Sequence, residues 1–350
     1  MKKTFALIVF SLFCICSITR LCGQQTNTIP EQFENTKAKA EKGDAEAQCH
    51  LGTRYRLGQG VETNNVEAVK WYRKAAEQNY ADAQSKLGMC YFWGLGVSQD
   101  FSEAVNWFQK AADQNYAVAQ YNLALCYYNG YRVQGINSDK EAIKWYRKAA
   151  EQNSRFAQNN LGFCYANGLG VKKDYAEALK WFQRAADQNF AEAQRNLGWC
   201  YYNGHGIQRD YAKAVKWLQK AADQNNLLAQ CQLGDWFANG NRVLQDSAEA
   251  IKWYLKAANQ GFTPAQLSLS ACYEKGHLVE KNIVEYYKWQ NIALSSIRDR
   301  DVRIVLDEIA NEMTPNQLAQ ARKEISEFQV SLHNRAPVII TDGRGGDWGQ

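Results

Sequence analysis

Residues 191–226 read AEAQRNLGWCYYNGHGIQRDYAKAVKWLQKAADQNN, and closely related stretches precede and follow them along the chain. Tryptophan marks the period most clearly. It recurs at steps of 36, 38, 36, 36, 36 and 36 residues, at Trp71, Trp107, Trp145, Trp181, Trp217, Trp253 and Trp289. A fixed period of this length is typical of tandem supersecondary units that bury their apolar faces against their neighbours. The 350-residue chain is therefore predicted to be a repeat array.

Each unit contains two apolar stripes with helical spacing. The first stripe of the quoted unit is formed by Ala193, Leu197 and Tyr201, with Gly198 allowing a neighbour to approach closely. The second stripe follows the turn N-G-H-G and is formed by Ala214, Trp217, Ala221 and Ala222. Such spacings predict two amphipathic antiparallel helices. We expect the tryptophan to be buried in the space between them.

The ends of these helices carry their own signals. Capping-box spacing is found at Asp100 with Glu103, Ser138 with Glu141, Asp174 with Glu177 and Asp246 with Glu249. Pairs of glycines supply turns of positive φ at Gly94-Leu95-Gly96, Gly168-Leu169-Gly170 and Gly204-His205-Gly206. A G-x-G motif also occurs in phosphate-binding loops. Here it follows a helix and lacks the Lys-Ser/Thr of such loops, which favours a turn.

The pattern A-x-A-Q-x-x-L-G-x-x-Y-x-x-G-x-G-V, followed by A-x-x-W-x-x-x-A-A, resembles the Sel-like repeat, a relative of the tetratricopeptide repeat. The second unit matches it position for position, and the resemblance covers about residues 39–295. It implies an all-α fold, a right-handed α/α superhelical solenoid of seven helix-pair repeats with a C-terminal helical cap. The third unit departs by two extra residues near 131–138. The seventh lacks the glycine of this pattern.

The predicted organisation has six segments. Residues 1–23 form a signal peptide, 24–32 a linker, and 33–43 a helical half-repeat. Residues 44–295 form the seven repeats, 296–331 the capping helices, and 332–350 a disordered tail. Thr314-Pro315 is a helix-start signal within the cap, because proline is favoured at the first helical position.

The leader indicates export. Lys2 and Lys3 precede the apolar stretch FALIVFSLFCICSI, which is shorter than the ~20 residues of a spanning helix. We therefore expect cleavage, a secreted or periplasmic location, and no stable membrane insertion of the mature chain. Lipidation at Cys22 is the alternative, although the residues before it lack the expected small side chain.

Composition excludes several function classes. The formal charge of +5 includes three basic residues of the leader, so the mature chain is nearly balanced and no nucleic-acid partner is expected. The histidines are His50, His205, His277 and His333, with no H-E-x-x-H motif. We expect no metal and no cofactor, and we interpret His205 as an exposed loop residue.

Seven cysteines follow residue 23, five of them in one repeat slot: Cys90, Cys126, Cys164, Cys200 and Cys272. One interpretation is that they are small apolar core residues. The other comes from the resemblance, because secreted cysteine-rich relatives carry disulfides. The pairs Cys49 with Cys90 and Cys231 with Cys272, both 41 residues apart, are the candidates.

The resemblance also places the first helix of each unit on the concave face. Partner-binding candidates on these helices are Met89, Phe92, Trp93, Tyr121, Asn122, Leu125, Tyr128, Asn160, Phe163, Asn196, Trp199 and Tyr202. An apolar middle with polar ends suits a docked peptide or helix, and the asparagines form a row that would hold a peptide backbone. The alternative is that some of these side chains pack between neighbouring helices.

These observations predict a non-catalytic scaffold that binds a protein or peptide on its concave face. The alternative is the penicillin-binding or weak β-lactamase activity attributed to secreted cysteine-rich Sel-like repeat proteins. Against it, the chain lacks the S-x-x-K, S-D-N and K-T-G motifs of serine β-lactam enzymes.

Overall fold

The computed structural model describes residues 29–131, 138–240, 244–295 and 300–333, and these ranges contain helices and no strands. The helices are α1 Ile29–Glu41, α2 Ala45–Leu57, α3 Asn65–Glu77, α4 Ala81–Trp93, α5 Phe101–Asp113, α6 Ala117–Tyr128, α7 Ser138–Glu151, α8 Arg155–Asn167, α9 Tyr175–Asp187, α10 Ala191–Asn203, α11 Tyr211–Asp223, α12 Leu227–Asn239, α13 Ser247–Ala258, α14 Thr263–Lys275, α15 Ile283–Leu294, α16 Arg300–Asn311 and α17 Pro315–His333. The predicted all-α fold of helix pairs is confirmed. The predicted signal peptide, Cys22 and residues 334–350 lie outside the described residues.

The chain divides into two compact units, with the division between Ala119 and Gln120 in α6. In the first unit, α2 packs on α3 and α4 on α5. In the second, α7 packs on α8, and the pairs α8–α9, α10–α11, α12–α13 and α14–α15 follow. α15 then contacts both α16 and α17.

The predicted helix boundaries are set by side-chain caps and by glycine. Asp100 Oδ1 accepts from the backbone N–H groups of Ser102 (2.8 Å) and Glu103 (3.2 Å). Gly204 ends α10 in the left-handed conformation. The second glycine of the turn is also needed for close approach. A Cβ on Gly206 would lie 2.3 Å from the carbonyl oxygen of Tyr175, at the start of α9. The G-x-G motif is thus a contact between repeats.

The sequence suggested that the tryptophan ring lies between the paired helices. In the structure, the residue after the tryptophan occupies that position. Phe182 lies against Gly162 so closely that a Cβ there would be 2.8 Å from the ring. Tyr72, Phe108 and Tyr254 stand over the equivalent glycines. Trp217 instead shares a core cluster with Ala185 and Ala186 of the preceding repeat. The tryptophans therefore lie at the seam between consecutive repeats.

Five of the seven tryptophans are buried, whereas Trp71 and Trp217 are partly exposed. A cation three residues later covers the outer surface of most rings. Lys110 Nζ lies 4.0 Å from the centre of the Trp107 ring, and Lys220 Nζ lies 3.9 Å from that of Trp217. The aliphatic stem of such a side chain covers apolar surface while its charge stays in water. This arrangement seals the seam without a further apolar layer.

Glutamine side chains bridge neighbouring repeats along one edge. Gln158 Nε2 donates to Ala150 O and to Asn153 Oδ1, both at 3.1 Å, and Gln158 Oε1 accepts from Gln188 Nε2 at 2.7 Å. The corresponding glutamines are all buried: Gln48, Gln84, Gln120, Gln194, Gln230 and Gln266. We call this set of seven glutamines the glutamine edge. Sequence analysis noted their repetition but assigned them no role.

Both ends of the array are covered by helices. α1 begins at Ile29, four residues earlier than the predicted half-repeat, and its Phe33 and Ala40 pack in one cluster with Leu51. At the other end, Trp289 makes an edge-on ring contact with Phe328 of α17 at 5.7 Å. Lys288 Nζ joins Glu285 (2.7 Å) to Glu324 (2.8 Å), which ties α17 to the last repeat.

Candidate functional site

A cavity of about 320 Å³ opens on the first helices of repeats three, four and five, within the second unit. Its volume lies at the lower end of the range of about 300–1,000 Å³ that is usual for ligand pockets. It is lined by Leu125, Tyr128, Tyr146, Asn159, Asn160, Phe163, Cys164, Glu192, Arg195 and Asn196. Five of these residues are among the predicted binding candidates. We call the surface of α6, α8 and α10 around this cavity the central face.

Two large aromatic side chains are exposed on the central face. Phe163 lines the cavity and is 44% exposed, and Trp199 is 37% exposed. Trp199 lies one turn beyond Arg195 on α10, so both side chains point to the same side of the helix. Large apolar side chains grouped with polar neighbours on a surface mark interaction sites more often than scattered ones do.

Several other candidates are packing residues in this structure. Met89, Leu125, Tyr121 and Asn122 are buried, and the Tyr121 ring lies 6.0 Å from that of Tyr146. Only Leu125 of these four reaches the cavity. For these four residues, the structure agrees with the alternative that the sequence left open, in which the side chains pack inside the array.

Three further candidates lie outside the cavity. Tyr202 is partly buried and stacks on Trp236 of the next repeat at 4.5 Å. In the first unit, Trp93 is 50% exposed and Phe92 is partly buried, with 5.0 Å between their ring centres. Phe92 and Trp93 belong to the first unit, and none of the three rings is part of the central face.

Two of the three predicted asparagines, Asn160 and Asn196, are linked through Asn159, a residue that the sequence did not single out. Asn196 Nδ2 donates to Asn159 Oδ1 at 2.9 Å. Asn159 Nδ2 donates to Asn160 Oδ1, and Asn160 Nδ2 donates to the Tyr146 hydroxyl, both at 3.4 Å. These bonds orient the amides across α8 and α10. No described residue donates a hydrogen bond to Asn196 Oδ1, so this side-chain oxygen remains an acceptor at the cavity.

Arg195 is the functional candidate that sequence analysis missed. Its Nε atom is buried, and the side chain makes no hydrogen bond or ion pair with any residue in the described ranges. Burial lowers the pKa of the guanidinium, and Glu192 opposes that shift. An arginine nevertheless remains charged at physiological pH. A cation thus lines the cavity without a directly bonded counter-ion.

His205 is not the exposed loop residue that the sequence suggested. Its ring stacks on Tyr175 at 4.0 Å with an interplanar angle of 5°, and it lies 4.3 Å from the Trp199 ring. Burial lowers the pKa of the imidazole, and the charges of Lys173 and Arg209 act in the same direction. His205 therefore supports Trp199 from one side.

The seven cysteines of the described residues are free and buried. The pairs Cys49–Cys90 and Cys231–Cys272 that we considered as disulfides are not formed in this structure. Burial raises the pKa of the Cys126, Cys164 and Cys200 thiols to about 12. Thiols with such pKa values are poor nucleophiles because the thiolate is the reactive form. These cysteines behave as small core residues.

The described residues contain no group of three or more His, Cys, Asp or Glu side chains placed to hold a metal ion. Within those residues, no helix is long and apolar enough to span a membrane.

The paired helices, the glycine turns and the repeated seam define an α/α repeat protein. Residues 45–80, 81–116, 117–154, 155–190, 191–226, 227–262 and 263–289 each match the family model of the Sel1 repeat. The chain therefore belongs to the Sel1 repeat family, as its sequence pattern indicated. Sel1 repeat proteins are generally protein-interaction scaffolds and typically not enzymes.

The chain is also similar to solved structures. A Sel1 repeat protein from Oxalobacter formigenes is 35% identical to this chain, covers 62% of it and 86% of its own length, and has a TM-score of 0.58. A protective antigen present in uropathogenic Escherichia coli strains, which displays an SLR fold, is 30% identical over 86% of this chain and 74% of its own, with a TM-score of 0.44. None of the curated proteins matches the chain.

Proposed function

We propose that this protein is a non-catalytic scaffold that binds a protein or peptide on its central face. The observation that carries the proposal is the cavity between α6, α8 and α10, with Phe163 exposed at it and Trp199 on the same face. Aromatic anchors dominate many interfaces because they bury a large area with few rotatable bonds. The asparagine row adds amide groups that suit a peptide backbone.

The central face is also a surface on which the repeats differ. The slot of Phe163 holds Thr53, Met89, Leu125, Trp199, Asp235 and Ala271 in the other repeats. Since every repeat folds into the same helix pair, the repeat fold does not require an aromatic residue there. Exposed rings in repeats four and five are therefore available for recognition.

The test compares partner capture by the purified protein with capture by Phe163→Ala and Trp199→Ala. Partners recovered from cell and envelope extracts are identified by mass spectrometry, and their dissociation constants are then measured with purified components. Each substitution is expected to weaken binding about tenfold or more, because central aromatic anchors contribute ~2 kcal/mol or more. Circular dichroism should show an unchanged helical signal.

Val330→Ala is the matched control, because Val330 is 58% exposed on α17 and does not line the cavity. Equal binding by all four proteins would contradict the proposed site. Nitrocefin turnover is measured with the same preparations. If the unaltered protein and Val330→Ala both hydrolyse nitrocefin above background, the β-lactam alternative would replace the scaffold proposal.

A further inference from the structure

The charge in the cavity of the central face identifies what kind of partner fits it. Arg195 brings a guanidinium group to a wall that is otherwise formed by aromatic, aliphatic and amide side chains, together with Glu192. Its Nε atom is buried and has no hydrogen-bond partner in the described residues. A buried donor without a partner is costly to the folded protein. The fold thus keeps this guanidinium at the cavity wall at an energetic cost, and a negatively charged group entering the cavity would be attracted to it.

The repeat architecture does not require this arginine. Arg195 lies two residues after the stripe alanine Ala193, and the same slot holds Cys49, Ser85, Tyr121, Asn159, Cys231 and Leu267 in the other repeats. None of those six residues carries a positive charge, and all seven repeats form helix pairs. The cation is therefore particular to repeat five, where it meets the cavity.

Glu192 is the acidic residue that lines the cavity, and it lies one turn before Arg195 on α10. It forms no ion pair with Arg195 within 4.0 Å in the described structure, although its charge acts on the guanidinium at longer range. Glu192 therefore weakens the attraction of the guanidinium for an incoming anion but does not bond to it.

We propose that the central face recognises an extended peptide that places an aspartate or glutamate side chain on Arg195 and a neighbouring apolar side chain against Phe163 and Leu125. The inference rests on the proposed binding of a partner at this face and specifies its chemistry. A carboxylate matches the planar fork of a guanidinium through two parallel hydrogen bonds. The side-chain oxygen Oδ1 of Asn196 accepts from a backbone N–H of the same peptide.

The experiment uses a random library of twelve-residue peptides displayed on phage and joined to the coat protein at their C-terminal ends. The displayed peptides then have no free C-terminal carboxylate. Binding through a chain terminus is therefore excluded from the selection, and only side-chain carboxylates can be recognised. Peptides that bind the purified protein are synthesised as C-terminal amides, and their dissociation constants are measured. Enrichment of one acidic residue next to an apolar residue is expected.

A double-mutant cycle then tests the contact itself. Asp→Asn or Glu→Gln in the selected peptide should weaken binding to the unaltered protein by about tenfold or more, the effect of removing one partner of a desolvated charge pair. The same peptide change should have little effect on Arg195→Gln. Arg322→Gln, an exposed arginine on α17, controls for the change in net charge. Glu192→Gln should tighten binding of the acidic peptide, because it removes a repelling charge. It is the test variant if Arg195→Gln does not fold.

The outcomes separate the two proposals. Peptides that require Phe163 but tolerate the loss of their carboxylate would support the central face as a binding site and overturn the acidic ligand. Failure to select any peptide whose binding depends on Phe163 would contradict the proposed peptide site, and the inference with it. Selection of acidic peptides that bind Arg195→Gln as tightly as the unaltered protein would also overturn the inference.

Discussion

The glutamine edge and the central face lie on the same helices but follow opposite rules. At the edge, glutamine occurs in all seven repeats, and each one is buried. On the central face, the slot of the exposed Phe163 and Trp199 holds seven residue types in seven repeats. A stacked repeat must satisfy the same buried polar groups at every junction, whereas its exposed first-helix positions are free to differ. Repetition within this chain marks stability, and variation marks recognition.

This comparison predicts that truncating a tryptophan to alanine destabilises the fold at the seam but weakens partner binding on the central face. Trp181→Ala should lower the free energy of unfolding by about 3–5 kcal/mol, the usual cost of truncating a buried ring. Trp181 is only 8% exposed on α9, and it occupies the slot in which Trp107, Trp217 and Trp253 pack against the preceding repeat. Urea denaturation followed by circular dichroism measures the change. A loss below about 1 kcal/mol would mean that the seam does not depend on the ring.

The glutamine edge should show a smaller effect of the same kind. Gln158→Ala removes two donated bonds and one accepted bond, so that Ala150 O keeps the bond from Asn153 N and Gln188 Nε2 keeps the bond to Asn153 Oδ1. Because each buried hydrogen bond contributes about 0.5–1.5 kcal/mol net, the expected loss is about 1–3 kcal/mol. Denaturation midpoints of Gln158→Ala and of Gln183→Ala test this expectation. Gln183 is the matched control, since its amide bonds only to Asp187 on its own helix.

If both variants unfold at the same urea concentration, the edge contributes no more than a surface hydrogen bond. A larger shift for Gln158→Ala would assign the stability of the repeat junction to the buried amides as well as to the tryptophan seam.

The sequence was sufficient to predict the helix pairs, because the 36-residue period and the apolar stripes are properties of the chain alone. It did not show which of two adjacent rings faces the paired helix. Trp181 and Phe182 differ by about 100° around α9, so their roles depend on how that helix is rotated against α8. The structure places Phe182 over Gly162 and Trp181 at the seam.

The candidate site was predicted only in part, for a related reason. Asn160 and Phe163 lie one turn apart on α8, Asn196 occupies the slot of Asn160 on α10, and the structure brings the three together at one cavity. Arg195 was missed because an arginine on an amphipathic helix is usually solvated. Its signal was available in the chain, since it is the only charged residue in its slot. The cysteine spacing, by contrast, contained no information on whether two sulfur atoms meet.

The smallest expected effect completes the comparison. Trp199→Ala should lower the free energy of unfolding by about 1 kcal/mol or less, because partly exposed side chains away from a packed core contribute little. Trp199 is 37% exposed, and its contacts are with His205 and Tyr175 on the surface of repeats four and five. The same variant is expected to lose about tenfold or more in partner binding, the behaviour of a central anchor. Trp199→Ala and Trp181→Ala are measured in the same urea titration. Because both replace tryptophan with alanine, a difference between them distinguishes a residue needed for binding from one needed for stability. A loss of stability equal to that of Trp181→Ala would make Trp199 a core residue and remove it from the proposed binding face.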